Sequence, residues 1–495
     1  MTQSSQAAHA EWDDVLSDVQ YLMATVRTRL STDDQSAKQE LPTGHPSKIT
    51  PPQSPLPIAP LTIAEAGLPL GQLSDLILKL LYLHGSLSGF ETAAHLRLPF
   101  RLIDQGISFL RAQKCVEILS ADIAGRLSFR GVLTDHGRIR AREAFEVSRY
   151  VGPAPVPLSD YAQQCRRQSV SGIPITPAAL RHSLQHLVLT RGLIEEIGPA
   201  LADGRSLLLY GPPGNGKSAI AKGIAACLTA CGGEIYVPYA ISVENSIITV
   251  FDPSLHNTTD DAELSQSEQT LTLNQGTLTP DARESAHGFD NSALLPDRRW
   301  RRVRRPVVLT AGELTLDMLD LRHHPEGNYY TAPLHVKANG GIFVIDDFGR
   351  QRVPLRQLLN RWILPLEERT DHLTLSTGKK FPIPFEQFVV FSSNLSPQEW
   401  KDEAFLRRIR HKVPISGPSP AQFREILRRA CLKLNLEWNA ESAEKILERQ
   451  YHRKRLPRAC DPQDLLQLIL AYSRFLDQTP ELSGPLLHEA LRRLE

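Results

Sequence analysis

The chain has 495 residues, 41% of them hydrophobic and 22% charged, with a net charge of +1. That length exceeds what one core organises and predicts roughly three domains. The near-neutral balance excludes a wholly basic nucleic-acid binder, so any such site must be a local patch.

The first residues, "MTQSSQAAHAEWDD", have neither the basic nor the apolar region of a signal peptide. No stretch approaches the roughly 18 apolar residues of a membrane helix. Six cysteines are sparse for this length and fit the reduced thiols of a cytoplasmic protein. Cys227 and Cys231 lie four apart on a predicted helix, without the further ligands a metal site needs, and read as small buried residues.

In chain order, residues 1–30 hold an amphipathic helix, with Trp12, Val15, Val19, Leu22, Val26 and Leu30 at helical spacing. Residues 31–61 are rich in Pro, Ser and Thr and read as a flexible or extended linker. Residues 62–152 give helical patterns at about 70–84, 88–97 and 100–113, then short strands at "CVEIL" and "RLSF", then a helix that Thr134 or Asp135 can cap. That order is the winged helix-turn-helix order. Its third helix would expose Arg101, Asp104, Gln105, Ser108 and Arg111, with Arg126 and Arg130 near the strand loop. This is a thin footprint for DNA, and DNA and protein stand as equal candidate partners.

Residues 153–417 alternate helices with apolar strands at "SLLLY", "EIYVPY", "VVLT", "GIFVI" and "FVVFSSN". The expectation is an α/β fold, a parallel sheet with helices on both faces. Within it, 252–296 is polar without a period and reads as a mobile insert, and "DHLTLSTGKKFPIP" reads as a hairpin. Residues 418–495 form four amphipathic segments, starting near 419, 442, 461 and 482: a small helical bundle. "RRWRRVRR" at 298–305 carries six arginines around Trp300 and Val303. It suits nucleic acid or another acidic surface, or else a structural segment whose apolar residues pack on the sheet.

Two motifs carry chemistry. "GPPGNGKS", between a strand and a helix, matches G-x-x-x-x-G-K-[ST]. Gly214 and Gly216 let backbone amides face phosphate oxygens, Lys217 reaches the outer phosphates, and Ser218 can ligate Mg²⁺. The whole cradle is Gly211, Pro212, Pro213, Gly214, Asn215, Gly216, Lys217, Ser218 and Ala219. In "GGIFVIDDFGRQ" two carboxylates end a buried strand and need a cation. Asp346 is the candidate for Mg²⁺, and Asp347 for orienting or deprotonating an attacking water.

With these motifs in order, the chain from about 160 to 495 resembles the AAA+ ATPases, P-loop proteins whose Walker A and Walker B look like "GPPGNGKS" and "IFVIDD". It also resembles a bacterial group carrying "GELTLDMLDL", "GGIFVIDDFGRQ" and "AFLRRI". The resemblance implies ATP with Mg²⁺, a helical lid at 418–495, and a homo-oligomeric ring, possibly a hexamer. It makes Asn394 in "VVFSSN" the polar residue facing the γ-phosphate. Arg407 and Arg408 in "DEAFLRRIRHKVPI" become the candidate arginine fingers, acting across subunits, and Arg458 in "LPRACDPQDLL" the lid residue reaching the nucleotide. One departure stands out: most members carry Glu where this chain has Asp347, and Asp is shorter by one C–C bond, about 1.5 Å. Two functions follow as expectations: an ATP-hydrolysing remodeller of a protein or nucleic acid, and a slow ATP-gated DNA-binding regulator or scaffold.

Overall fold

The computed structural model describes residues 54–119, 130–259, 295–451 and 456–493. The amphipathic segment 1–30 lies outside them, as do most of the Pro-rich stretch, "RLSF" with Arg126, and 260–294 of the polar insert.

Residues 62–152 give helices α1 (Leu70–His84), α2 (Gly89–Leu96), α3 (Phe100–Ala112) and α4 (Asp135–Val147). Strands β1 (Ser86–Ser88), β2 (Val116–Leu119) and β3 (Arg130–Leu133) pair antiparallel in the order β1-β3-β2. The described part of the second strand, Arg130–Leu133, follows directly on "RLSF", which lies outside the described residues, and β1 was not foreseen. Ser88 and Glu91 form a reciprocal capping box on α2, and the Thr134 hydroxyl accepts the Gly137 amide to cap α4. Leu73, Ile77, Leu81, Leu102, Ile103, Leu110 and Ala141 close this core. It continues to Ala240 and Tyr329 of the following region.

The central layer is a five-stranded, all-parallel sheet. Its strands are β5 (Ser206–Tyr210), β10 (Val307–Thr310), β13 (Ile342–Ile345), β16 (Phe388–Ser393) and β17 (His411–Pro414), in the order β10-β13-β16-β5-β17. Continuous apolar runs such as "IFVI" and "FVVF" are what strands covered on both faces require. Successive residues alternate between the two faces. Ile342 and Val344 point to the layer that holds Ile220, Ile224 and Leu228 of α8 (Lys217–Gly232) and Ile197 of α7 (Arg191–Asp203). Phe343 and Ile345 point to the opposite layer, with Leu358, Leu359 and Trp362 of α9 (Leu355–Glu368). Helix α5 (Leu158–Arg167) precedes two more, α6 (Pro177–Ser183) and α7.

One strand departs from expectation. "EIYVPY" forms β6 (Glu234–Pro238) outside the parallel sheet, antiparallel to β9 (Trp300–Arg304). The partner is the arginine-rich stretch itself. Ile235 faces Val303, both fully buried, and Arg302 forms a 2.6 Å ion pair with Glu234. The cross-strand apolar contact, unavailable at a central parallel position for so basic a partner, sets this pairing. A second mixed sheet contains β4 (Val156–Pro157), β7 (Ala240–Val243), β8 (Ser246–Thr249), β11 (Arg322–His324) and β12 (Tyr329–Thr331). The hairpin forms as β14 (Thr370–Thr374) against β15 (Lys380–Pro384).

The described end of the Pro-rich stretch is packed, contrary to a flexible linker. The Asp297 amide donates to Pro57 O at 2.8 Å, the Gln164 side chain to Pro55 O at 2.8 Å, and the Ser54 hydroxyl to Glu234 O at 2.7 Å. The start of the polar insert is packed too: His256 is buried, and Asp252 pairs with Lys337 at 2.7 Å. The chain ends in four helices, α10 (Pro420–Lys433), α11 (Ala440–Tyr451), α12 (Asp461–Leu476) and α13 (Gly484–Arg493), around Phe423, Leu427, Ile446, Leu465 and Ile469.

Candidate functional site

The pairing register aligns three strand ends. Tyr210 ends β5 opposite Ser393 of β16, and Ile345 ends β13 opposite Phe391 of the same strand. The carboxyl ends of β5, β13 and β16 therefore share one edge, where open α/β sheets offer a crevice to ligands.

The loop 211–218 leaves β5 at this edge. Gly211, Gly214 and Gly216 have φ of 140°, 81° and 83°, values that carry a steric cost for any residue with a Cβ. At 214 a Cβ would also lie 2.8 Å from Cys460 Sγ and 3.1 Å from Arg458 Cδ. Helix α8 starts at Lys217 with no side-chain cap, so its first amides face the loop unsatisfied. Ser218 and Ala219 follow in its first turn, half-buried. Pro212 and Pro213 are exposed.

The buried Lys217 ammonium donates to Gly211 O at 2.8 Å and Pro212 O at 2.9 Å. Burial lowers its pKa, while the nearby charges of Asp346 and Asp347 oppose that shift. The loop thus holds a cation whose hydrogen-bond partners among the described residues are carbonyl oxygens, with two carboxylates within electrostatic range.

Asp346 is anchored at the end of β13 by its amide, which donates to Thr310 O at 2.7 Å. Its Oδ1 accepts the Asp347 amide at 3.0 Å. Asp347 is exposed and its backbone is left-handed, φ 46°. Its Oδ1 accepts a 2.8 Å hydrogen bond from Asn394 Nδ2. The turn is stitched to β16: the Phe348 amide donates to Ser392 O and the Ser393 hydroxyl to Phe348 O, each at 2.7 Å. The carboxylate and the amide foreseen separately in the sequence therefore form one unit.

The four-helix cluster reaches the same loop. The Cys460 amide donates to Gly214 O at 2.9 Å, and the Ala459 amide to Asn215 Oδ1 at 3.1 Å. Arg458 lies against Gly214, its amide held by Asp461 Oδ2 at 2.8 Å. Ala459 and Cys460 were missed in the sequence because they act through backbone amides, which leave no side-chain signature.

The two arginine candidates part company. Arg408 donates through Nε and Nη2 to Glu367 Oε2, at 2.8 and 2.5 Å, with its side chain only 13% exposed. Arg407 is exposed. On α3, Arg101, Gln105, Ser108 and Arg111 are exposed and Asp104 is half-buried. The 298–305 cluster is largely structural. Buried Arg299 forms a 2.8 Å pair with buried Asp297 and donates to Ala66 O and Pro155 O. Buried Arg305 donates to Gly232 O and Gln168 O, and burial lowers its pKa to about 10. No helix among the described residues is long and apolar enough to cross a membrane.

Residues 419–493, the four-helix cluster, match the model of a family described as a domain of unknown function, DUF8689. No curated protein matches the chain. Among solved structures, similarity is found to the RuvB Holliday junction branch migration motor of Thermotoga maritima. The identity is 13% over 62% of this chain and 70% of that one, with a TM-score of 0.33. Domain III of the T. maritima replication initiation protein DnaA gives 13% identity over 65% of this chain and 98% of that one, TM-score 0.31. NtrX of Brucella abortus gives 11% identity over 72% and 60%, TM-score 0.32.

Proposed function

We propose that the chain is an AAA+ ATPase that hydrolyses ATP with Mg²⁺ in a homo-oligomer and uses the cycle to remodel a protein or nucleic-acid partner. The observation that carries this reading is the meeting of Lys217 with the Asp346–Asp347–Asn394 unit at one edge of a parallel sheet.

The Gly-rich loop and the unsatisfied amides of α8 bind the phosphates. Lys217 exchanges the carbonyls of Gly211 and Pro212 for phosphate oxygens. A hydroxyl and a carboxylate, Ser218 and Asp346, are the hard oxygen donors that suit Mg²⁺, which when bound neutralises charge on the phosphates. Asp347 accepts a proton from water as the water oxygen bonds to the γ-phosphorus and the bond to the β–γ bridging oxygen breaks, giving ADP and phosphate. Asn394 orients the Asp347 carboxylate for that transfer. Arg407, exposed, serves as the finger completing a neighbour's site. Arg408, held by Glu367, supports the segment instead.

Helices α10–α13 act as a lid whose position is read at Gly214 and Asn215 through Arg458, Ala459 and Cys460. The 62–152 region serves as a winged-helix-like module that brings in the partner, protein or DNA, and the exposed face of α3 is what supports DNA.

The shorter Asp347 suits a working base. A left-handed backbone favours Asp over Glu several-fold. The Asn394 hydrogen bond is made at the Asp length. These two facts favour an adapted base over the slow regulator. The test is phosphate release against protein concentration, with sizing in the presence and absence of ATP. Turnover that rises with assembly supports the reading, and full turnover by a strict monomer refutes the finger in trans.

A further inference from the structure

The turn that carries Asp347 contains two left-handed residues, Asp347 at φ 46° and Gly349 at φ 99°. Left to itself such a turn samples several arrangements, because a non-Gly residue in this region carries an energetic cost. The structure shows what closes it. The side-chain amide of Gln351 accepts the Gly349 amide at Oε1, 2.8 Å. Its Nε2 faces three carbonyl oxygens: Ala311 at 3.3 Å, Asp346 at 3.3 Å and Asp347 at 3.4 Å. One half-buried side chain thus touches the start, middle and end of the turn and also the loop after β10.

We infer that Gln351 is a positioning residue for the water-activating carboxylate: it clamps the Asp346–Gly349 backbone so that Asp347 stays in reach of Asn394. The inference rests on the ATPase reading above. Gln351 is six residues beyond the end of β13, and its side-chain hydrogen bonds go to Gly349, Ala311, Asp346 and Asp347 rather than to Lys217 or the Gly-rich loop, so its loss leaves nucleotide binding intact. Its donors span two loops, Ala311 and the Asp turn, so the clamp also fixes the spacing between the ends of β10 and β13. A misplacement on the order of 1 Å at a reacting group costs about 10²-fold in rate.

The experiment measures steady-state hydrolysis and fluorescent-ATP affinity on the full chain for the parent, Gln351→Met, Asp347→Asn and the double variant. Gln351→Met keeps the side-chain length and removes all four contacts. The expected result is kcat lower by about 10²-fold, ATP affinity within about twofold, and no further loss when Gln351→Met is added to Asp347→Asn. Should Gln351→Met fail to fold, Gln351→Glu carries the test, because it retains the acceptor for Gly349 and loses only the donors. A Gln351→Met kcat equal to that of a parent that hydrolyses ATP overturns the positioning role and leaves the ATPase reading standing. Losses that multiply in the double variant overturn it as well, because they show Gln351 acting apart from Asp347. A parent without hydrolysis overturns both.

Discussion

Replacing Asp347 by Glu tests whether the short carboxylate is a defect or a fit. Two changes follow from the geometry. The backbone at 347 stays left-handed, φ 46°, where Glu is several-fold less at home than Asp; a several-fold population difference is about 1 kcal/mol. The added methylene moves the carboxylate by about 1.5 Å, which breaks the 2.8 Å hydrogen bond from Asn394. A displacement of that size at a proton acceptor costs about 10²-fold. We therefore expect kcat to fall between about 10- and 100-fold, with ATP affinity unchanged, since Lys217 and the loop are untouched. The assay is steady-state phosphate release beside a fluorescent-ATP titration. A gain of tenfold or more in kcat would refute the reasoning and mark Asp347 as a brake, the property of a slow switch.

Three further outcomes follow. Arg407→Ala is expected to abolish most turnover without changing thermal stability, and activity should return on mixing with Lys217→Ala subunits. Arg408→Ala should instead lower the melting temperature by breaking its pair with Glu367; equal melting curves for the two variants would contradict the assignment. Arg299→Leu leaves Asp297 as an unpaired buried charge and should cost about 3–5 kcal/mol in denaturant unfolding, whereas Arg302→Leu, at a partly exposed pair, should cost under about 1 kcal/mol; equal losses would undo the structural reading of the cluster. Asp252 has burial working to raise its pKa, but hydrogen bonds from Lys337 and Ser254 outweigh it and hold the carboxyl at about 2. A depressed carboxyl stabilises above its unfolded pKa and loses that stability as pH falls through the folded one. About 1 kcal/mol, after discounting for partial exposure, should disappear between about pH 4 and 2, and Asp252→Asn should remove that segment of the stability–pH curve.

The central strands and the Gly-rich loop were legible because both signals are local. A strand covered on both faces must be an unbroken apolar run, and a phosphate cradle must have glycines where φ turns positive. Edge elements were not legible in this way. β17, "HKVP", has one fully buried side chain, and β1 has three residues. The arginines of β9 and the one just after it hid a strand because their charges are met by remote groups: Glu234 for Arg302, and Gly232 O with Gln168 O for buried Arg305. The two arginine candidates are adjacent in sequence, and what separates them is Glu367, 41 residues away. The left-handed turn at Asp347 had a partial signal, an Asp followed two residues later by Gly, but the bond to its carboxylate comes from Asn394, 47 residues away, while Gln351 closes the turn locally.

The most direct measurement of the central claim is Mg²⁺-dependent release of phosphate from ATP by the full chain, run beside Lys217→Ala. The account predicts turnover in the parent that EDTA abolishes. It also predicts that Lys217→Ala binds fluorescent ATP at least about 100-fold more weakly, the amine being the cradle's own cation. ATP binding and hydrolysis that survive Lys217→Ala unchanged would contradict it.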